Sequence, residues 1–450
     1  EALRLRGRLD RTRLEKTLKQ LVDRHESLRT SFHFYGGDPV QRIHDEVSIE
    51  IAWAEASEDE IDSRIRQCIQ PYDLGSAPLF RVFAFELDRE EYMLLFDMHH
   101  IISDGTSMGI LVREFVALYD GQQLSPLELQ YKDYSVWERE ILQSTELAKQ
   151  KRFWLEALAG EPPILDLPTD FVRPPIKSER GHTIFFEIED KLAQQLKQFA
   201  REANTSLFMV MMSVYQILLA KYSNNEEIAV GTPIAGRLHP DLGALVGMFI
   251  NTLVFLNKPS PSKTYEQFLG EVKAYSLQAY QNQDFPFDDL VRELGFTDLS
   301  RNPIFDTMFI MQNLKMPGMT GEHFELSSHA IASNTAKFDL MVQAVERGNR
   351  MELIVEYCTD LFKQQTIEQM MEHYIELLKQ CSAYPQTAIG ELNMLTERQW
   401  RRMTVEFNEM SGEYDESLMI HQMFERQARL NPAQSAVELE DRFITYGELN

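Results

Sequence analysis

Leu3 and Leu5 alternate with Arg4 and Arg6, the period-two pattern of a half-buried strand. Asp10 then stands where an N-cap belongs, and Leu14, Leu18, Leu21 and Val22 follow at helical spacing. Residues 28–34 predict a strand, closed by the turn Tyr35-Gly36-Gly37-Asp38-Pro39. Residues 58–70 predict a helix with Ile61, Ile65 and Ile69 on one face. Residues 79–87 and 92–102 predict paired strands joined by Asp88-Arg89-Glu90-Glu91. A helix over 108–119 packs Ile110, Leu111, Phe115, Leu118 and Tyr119, with Gly121 as its stop. The Pro-rich stretch 162–175 predicts a crossover between two lobes. Beyond it come strand 182–188, helices 190–202 and 207–222, strand 228–233, helices 264–282 and 366–380, and strands 305–312 and 351–357. From about residue 396 the texture changes to a polar linker, then a helix over 421–430, the stop Asn431-Pro432 and a strand over 442–445, the start of another domain.

Composition narrows the function classes. A chain of 450 residues, 44% hydrophobic and 10% aromatic, can fill several cores. With 45 basic and 70 acidic residues its formal charge is −25, which argues against nucleic acid and anionic membrane surfaces as partners. No apolar run approaches the roughly 20 residues that span a bilayer. The three cysteines, Cys68, Cys358 and Cys381, are widely spaced, which suggests neither a disulfide framework nor a metal finger and fits a cytoplasmic location. A first residue Glu1 with no signal-peptide pattern, and an end in mid-pattern at Asn450, read as a piece of a longer chain.

The candidate chemistry sits in Met98-His99-His100-Ile101-Ile102-Ser103-Asp104-Gly105, between a buried strand and a helix. An imidazole titrating near ~6.5 can accept or orient a proton at neutral pH. As strand neighbours His99 and His100 would face opposite ways, so one serves chemistry and the other braces. For the same reason they cannot share one metal ion, and no His-Glu-x-x-His or Cys/His cluster exists, so no metal is expected. Asp104, in a turn before a helix, reads first as structural, with Arg237 of Gly231-Thr232-Pro233-Ile234-Ala235-Gly236-Arg237 as partner. Gly105 is either a plain turn glycine or a place where substrate meets bare backbone. No nucleophile elbow, phosphate loop or dinucleotide fingerprint appears, which argues against a serine hydrolase and against ATP or NAD in the first 395 residues.

The histidine run resembles the His-His-x-x-x-Asp-Gly signature of nonribosomal peptide synthetase condensation domains, within the chloramphenicol acetyltransferase-like superfamily. Five more stretches resemble that family's motifs in order. They are Arg24-His25-Glu26-Ser27-Leu28-Arg29-Thr30-Ser31-Phe32, Tyr131-Lys132-Asp133-Tyr134-Ser135-Val136-Trp137, Val246-Gly247-Met248-Phe249-Ile250-Asn251-Thr252, Asn282-Gln283-Asp284-Phe285-Pro286-Phe287-Asp288 and Ser300-Arg301-Asn302-Pro303-Ile304-Phe305. The family's first motif is absent, Thr106 stands where Val or Trp is commoner, and the Asp-x-x-x-x-Asp of heterocyclizing relatives is missing.

The resemblance implies an α/β fold of two chloramphenicol-acetyltransferase-like lobes in a V-shaped pseudodimer. The expected division is 1–165 and 166–395 for the lobes, 396–412 for a linker, and 413–450 for the beginning of an adenylation domain. The implied reaction joins an upstream peptidyl or acyl thioester to a carrier-bound aminoacyl amine. Both substrates ride on phosphopantetheine arms of peptidyl carrier domains, which are the implied partners together with an adenylation domain in cis. No cofactor of the chain's own is implied. His100 is then the catalytic candidate, with His99, Asp104, Gly105 and Arg237 as support and Asn251 and Ser107 touching substrate. Alternatives from the same superfamily are an epimerization-type domain, a free-standing acyl-CoA acyltransferase and a non-catalytic docking module. The intact histidine run and the adenylation-like tail favour condensation, and the run is most similar to domains that take an L-configured donor.

Overall fold

The computed structural model describes the chain apart from residues 161–162, 313–318, 323, 330, 332–333, 348–349, 410–416 and 440–441. Two units separate at Met394/Leu395. The first holds two six-stranded sheets.

The first sheet begins with β1 (Ala2–Gly7), whose Leu3 and Leu5 are buried as their alternation predicts. Helix α1 (Arg11–Arg24) starts at Asp10, whose side chain accepts from the Arg13 N–H at 2.9 Å. Strands β2 (Thr30–Tyr35) and β3 (Asp38–Ile43) form a separate hairpin. Then come β4 (Ile51–Glu55), α2 (Ile61–Cys68), β5 (Phe80–Asp88), β6 (Glu91–Met98) and α3 (Gly105–Tyr119). Helices α4 (Tyr131–Ile141) and α5 (Thr145–Ala157) lead to the second sheet. The connector's Pro162 lies outside the described residues. Its described part is strapped to the second lobe, where the Asp170 N–H donates to the Leu361 carbonyl at 2.9 Å and Arg173 pairs with the buried Asp339.

The second sheet is built from β7 (Gly181–Ile188), β8 (Ile228–Ile234) and β9 (Asn251–Asn257), with α6 (Asp190–Glu202) and α7 (Leu207–Ser223) between the first two. Helices α8 (Tyr265–Gln281) and α9 (Phe287–Leu294) follow, then β10 (Thr307–Gln312), β11 (Met319–Thr320), β12 (Phe324–His329), β13 (Leu340–Arg347), β14 (Arg350–Cys358) and α10 (Gln364–Ala383). Helix α7 is apolar on nearly every side and lies buried in this lobe's core, as an all-round hydrophobic helix must. No single helix among the described residues is long and apolar enough to cross a membrane.

The strand orders are β11-β12-β1-β6-β5-β4 and β7-β14-β13-β10-β8-β9. Strands β11 and β12 thus belong to the first sheet although they follow residue 165. Six register pairs, Ala2↔His329 to Gly7↔Phe324, join β12 to β1, and Phe324 and Leu326 sit in the first core. The contiguous ranges 1–165 and 166–395 therefore do not map onto the sheets. A crossover that borrows strands from the other half leaves no mark in local periodicity.

The second unit pairs β15 (Ser435–Leu439) with β16 (Arg442–Thr445). Residues 396–412, expected as linker, contain helix α11 (Glu397–Thr404), closed by a reciprocal Thr396/Gln399 capping box. Helix α12 (Ile420–Leu430) precedes the β15–β16 pair and the short α13 (Tyr446–Leu449) follows it. Residues 413–416, where the expected adenylation segment would begin, lie outside the described residues.

Candidate active site

Strand β6 ends at Met98, paired with Phe80, and only the His99 N–H continues the ladder, to the Leu79 carbonyl at 3.1 Å. His100–Ile102 is a tight 3-10 turn rather than the strand end predicted through residue 102. The opposite-face argument for the two histidines therefore gives way to a capping one. His99 caps the turn: its Nδ1 accepts from the Ile101 N–H at 3.1 Å, so Nδ1 acts as an acceptor. The His99 ring also meets the edge of Tyr72, centroid to centroid 6.2 Å. Tyr72 is fixed in turn by its hydroxyl bonds to Asp97 and by the Arg81 guanidinium over its ring. His100 is exposed, so its imidazole is presented to open space by a turn whose neighbours are locked.

Asp104 caps α3. Its Oδ1 accepts from the Ser107 N–H at 2.7 Å, and its Oδ2 from the Phe249 N–H at 3.2 Å. Arg237 Nη2 donates to both carboxylate oxygens at 3.1 and 3.2 Å. The two side chains are 1% and 6% exposed, so this is a buried ion pair between the halves of the first unit, joining the residues the sequence assigned to each other. Burial pulls the Arg237 guanidinium below its ordinary value, and Asp104 opposes the pull. Nη1 of Arg237 donates to the Leu242 and Leu245 carbonyls at 2.6 and 2.7 Å, and the guanidinium stacks 3.9 Å from the centre of the Phe249 ring. Such fork geometry is what an arginine supplies and a lysine cannot. Gly236 precedes it with φ +63°, and a Cβ there would fall 1.9 Å from the Phe249 carbonyl oxygen, so only glycine lets this loop close.

Ser107 and Asn251, both expected to touch substrate, are placed otherwise. Ser107 is fully buried. Its hydroxyl donates to the Gly247 carbonyl at 2.9 Å and accepts from the Gly247 N–H and Arg237 Nη2 at 3.1 and 2.9 Å. Asn251 donates to the Gln283 and Phe285 carbonyls, each at 2.8 Å, and accepts from the Thr252 and Phe287 N–H groups. Both amide hydrogens and the carbonyl oxygen are committed to backbone, so Asn251 shapes the 283–287 loop. Gly105 is exposed at the first turn of α3, beside the histidine turn.

Several supporting residues carry no signal beyond membership of the motif runs. The Tyr131 hydroxyl donates to the Met248 carbonyl at 2.7 Å, and the Ser27 hydroxyl to the Val246 carbonyl at 2.6 Å. Phe249 holds Asp104 by its backbone and Arg237 by its ring. Tyr72 and Arg81, beside His99, lie in no motif quoted above. The ensemble is a rigid, charge-neutralised hub beneath one solvent-facing imidazole.

A Condensation domain family model matches residues 1–404. Tyrocidine synthase 3 of Brevibacillus parabrevis is 43% identical over 450 residues, which is 100% of this chain and 7% of the relative. Six such curated relatives are spanned by this chain over only 7% to 17% of their own length. Among solved structures, the X-domain from teicoplanin biosynthesis is 26% identical with a TM-score of 0.81, covering 88% of this chain and 92% of that one. A four-domain nonribosomal peptide synthetase bound to AMP and glycine has a TM-score of 0.84 at 22% identity, over 100% of this chain and 36% of that one, a likeness of fold. The two-lobed α/β architecture, the ordered motifs and the family match together make this chain a member of the condensation-domain family of nonribosomal peptide synthetases.

Proposed function

We propose that the chain forms an amide bond between two carrier-borne substrates. The amine nitrogen of an aminoacyl thioester attacks the carbonyl carbon of an upstream peptidyl or acyl thioester. The C–N bond forms, the C–S bond breaks, and the sulfur leaves as a thiol. The thioester is already activated, so holding the amine against it supplies much of the rate. His100 contacts the attacking amine and receives or orients the proton it must shed. Asp104, Arg237, Ser107 and His99 are positioning residues that act through the backbone of the turn. Residues 413–450 are read as the opening of an adenylation domain, and the substrates arrive on phosphopantetheine arms of neighbouring carrier domains.

The observation that carries this reading is the contrast within one turn: Asp104 buried and fully engaged, His100 four residues earlier exposed and, among the described residues, without a side-chain hydrogen bond. The test measures dipeptidyl product from two loaded carrier domains with the wild type and His100→Ala. The expected loss is about 100-fold or more. Rates near wild type between about pH 6 and 9 would overturn the role of His100. Product formed equally well from free acyl-CoA would overturn the carrier-borne donor.

A further inference from the structure

One cavity of about 250 Å³ is lined by none of the residues given a role in the reaction proposed above. Helix α4 forms one wall, and the segments 248–252 and 283–288 form the others. Two aromatic residues of α4 line it with Phe249: Tyr134 lies 5.8 Å from Trp137 and 4.6 Å from Phe249, ring centre to ring centre. Trp137 is 50% exposed, which leaves ring surface that a guest could cover. Glu138 lines the same cavity. Its Oε1 accepts from the Tyr134 hydroxyl at 2.9 Å, and no ion pair to it is present among the described residues. Burial raises the Glu138 carboxyl above its ordinary value. The lining contains no lysine or arginine.

An anion partly withdrawn from water and left unpaired costs free energy that an arriving cation recovers. Aromatic faces offer the same preference, because their quadrupoles present negative charge to a guest. Aliphatic surface from Ile141 and Met248 suits a methylene chain. From this combination we infer that the cavity binds a short organic cation, an ammonium or guanidinium group carried on an aliphatic chain. Its volume is ample for one such chain. The guest would not be remote from the histidine turn. The Phe249 ring lines the cavity while its N–H holds Asp104, so occupancy bears on the residue that anchors the turn. That last link rests on the function proposed above; the binding itself does not.

The test titrates the 450-residue chain with cadaverine and with agmatine, using 1-pentanol as the neutral comparison, by calorimetry. Both cations are expected to bind and the alcohol not. Glu138→Gln and Trp137→Leu should each weaken binding about tenfold with an unchanged thermal melt. Equal binding by wild type and Glu138→Gln, or no binding by wild type, overturns the inference. A second arm separates two sources of the cation. If it is the side chain of the acceptor residue, Glu138→Gln slows transfer to a lysyl-loaded acceptor and leaves a norleucyl-loaded one unchanged. If it is a free diamine, both acceptors respond alike to added cadaverine, and Glu138→Gln abolishes that response. The binding arm needs no turnover, so a failed reaction and a failed site are distinguishable.

Discussion

Asp104 accepts from a backbone N–H on its own helix, from another on the distant 246–252 segment, and from a guanidinium, all without solvent. Asp104→Asn keeps the shape, yet one accepting carboxylate oxygen becomes an amide NH2, itself a donor facing a donor, and Arg237 remains as a buried uncompensated charge. Breaking a buried pair from one side costs about 3 to 5 kcal/mol. Urea unfolding should show that loss for Asp104→Asn, and turnover should fall with it. A variant that melts like wild type but does not turn over would move Asp104 into direct contact with substrate. Ser107→Ala is expected to be milder, about 1 to 3 kcal/mol, because it strands the Gly247 N–H without stranding a charge.

At the scale of elements, α1 and α3 are joined by a charged contact that responds to pH. Glu114 of α3 accepts from Arg24 Nε at 3.0 and 3.1 Å and meets His25 Nε2 at 2.7 Å. Burial alone would raise the Glu114 carboxyl, but its bonds to His25 and Arg24 outweigh burial and hold it below its ordinary value of 4.5. A depressed acid stabilises the folded state above its unfolded value, and the contribution disappears as pH falls through the folded one. Glu114→Gln should therefore melt well below wild type at neutral pH, and the gap should close below about pH 4.5. A gap constant with pH would show that shape rather than charge holds the helices. A second elemental contact is steric. A Cβ on Gly247 would fall 2.1 Å from the Tyr131 ring, which its hydroxyl bond to Met248 keeps in place. Gly247→Ala should cost about 1 to 3 kcal/mol in urea, with Tyr131→Leu in the same chain recovering part of it.

What the sequence disclosed follows from the range of the forces involved. The helix predicted over 190–202 has the bounds observed, and those over 207–222, 264–282 and 366–380 shift by three residues or fewer at either end, because a one-sided apolar stripe is a local property. Helix α3 starts at Gly105, three residues before the predicted 108, since the Asp104 cap wins three further residues. The turn at 100–102 reads as strand because Ile101 and Ile102 are good strand formers, and only the loss of a pairing partner after Met98 ends the ladder. In the site, the Asp104–Arg237 contact was legible because a lone arginine closing a glycine loop suits a lone turn carboxylate. The placement of Ser107 and Asn251 was not, because their partners are backbone atoms of segments far away in sequence. Strand β12 has the same difficulty: its alternation is short and its meaning lies in β1.

That crossover sets the unit of stability for the whole molecule. Residues 1–165 contain four of the six strands of the first sheet and all of α1 and α3, so by local pattern they look self-sufficient. Without 319–329 they would lack Phe324, which packs on Phe115 and Tyr119, and Leu326, and the whole hydrogen-bonding edge of β1 from Ala2 to Gly7 would be bare. They would also lack Arg237, leaving Asp104 without its counter-charge, and Val246, which fills the same core. An unpaired apolar edge strand recruits other chains. Expressed alone, residues 1–165 should therefore aggregate or show no cooperative melt, whereas residues 1–394, which keep β12 and the ion pair, should unfold as one transition. The measurement is calorimetric unfolding of both pieces beside the 450-residue chain. A cooperative melt of 1–165 by itself would mean that β1 tolerates an open edge and that the two halves are held by the reaction they share rather than by the fold.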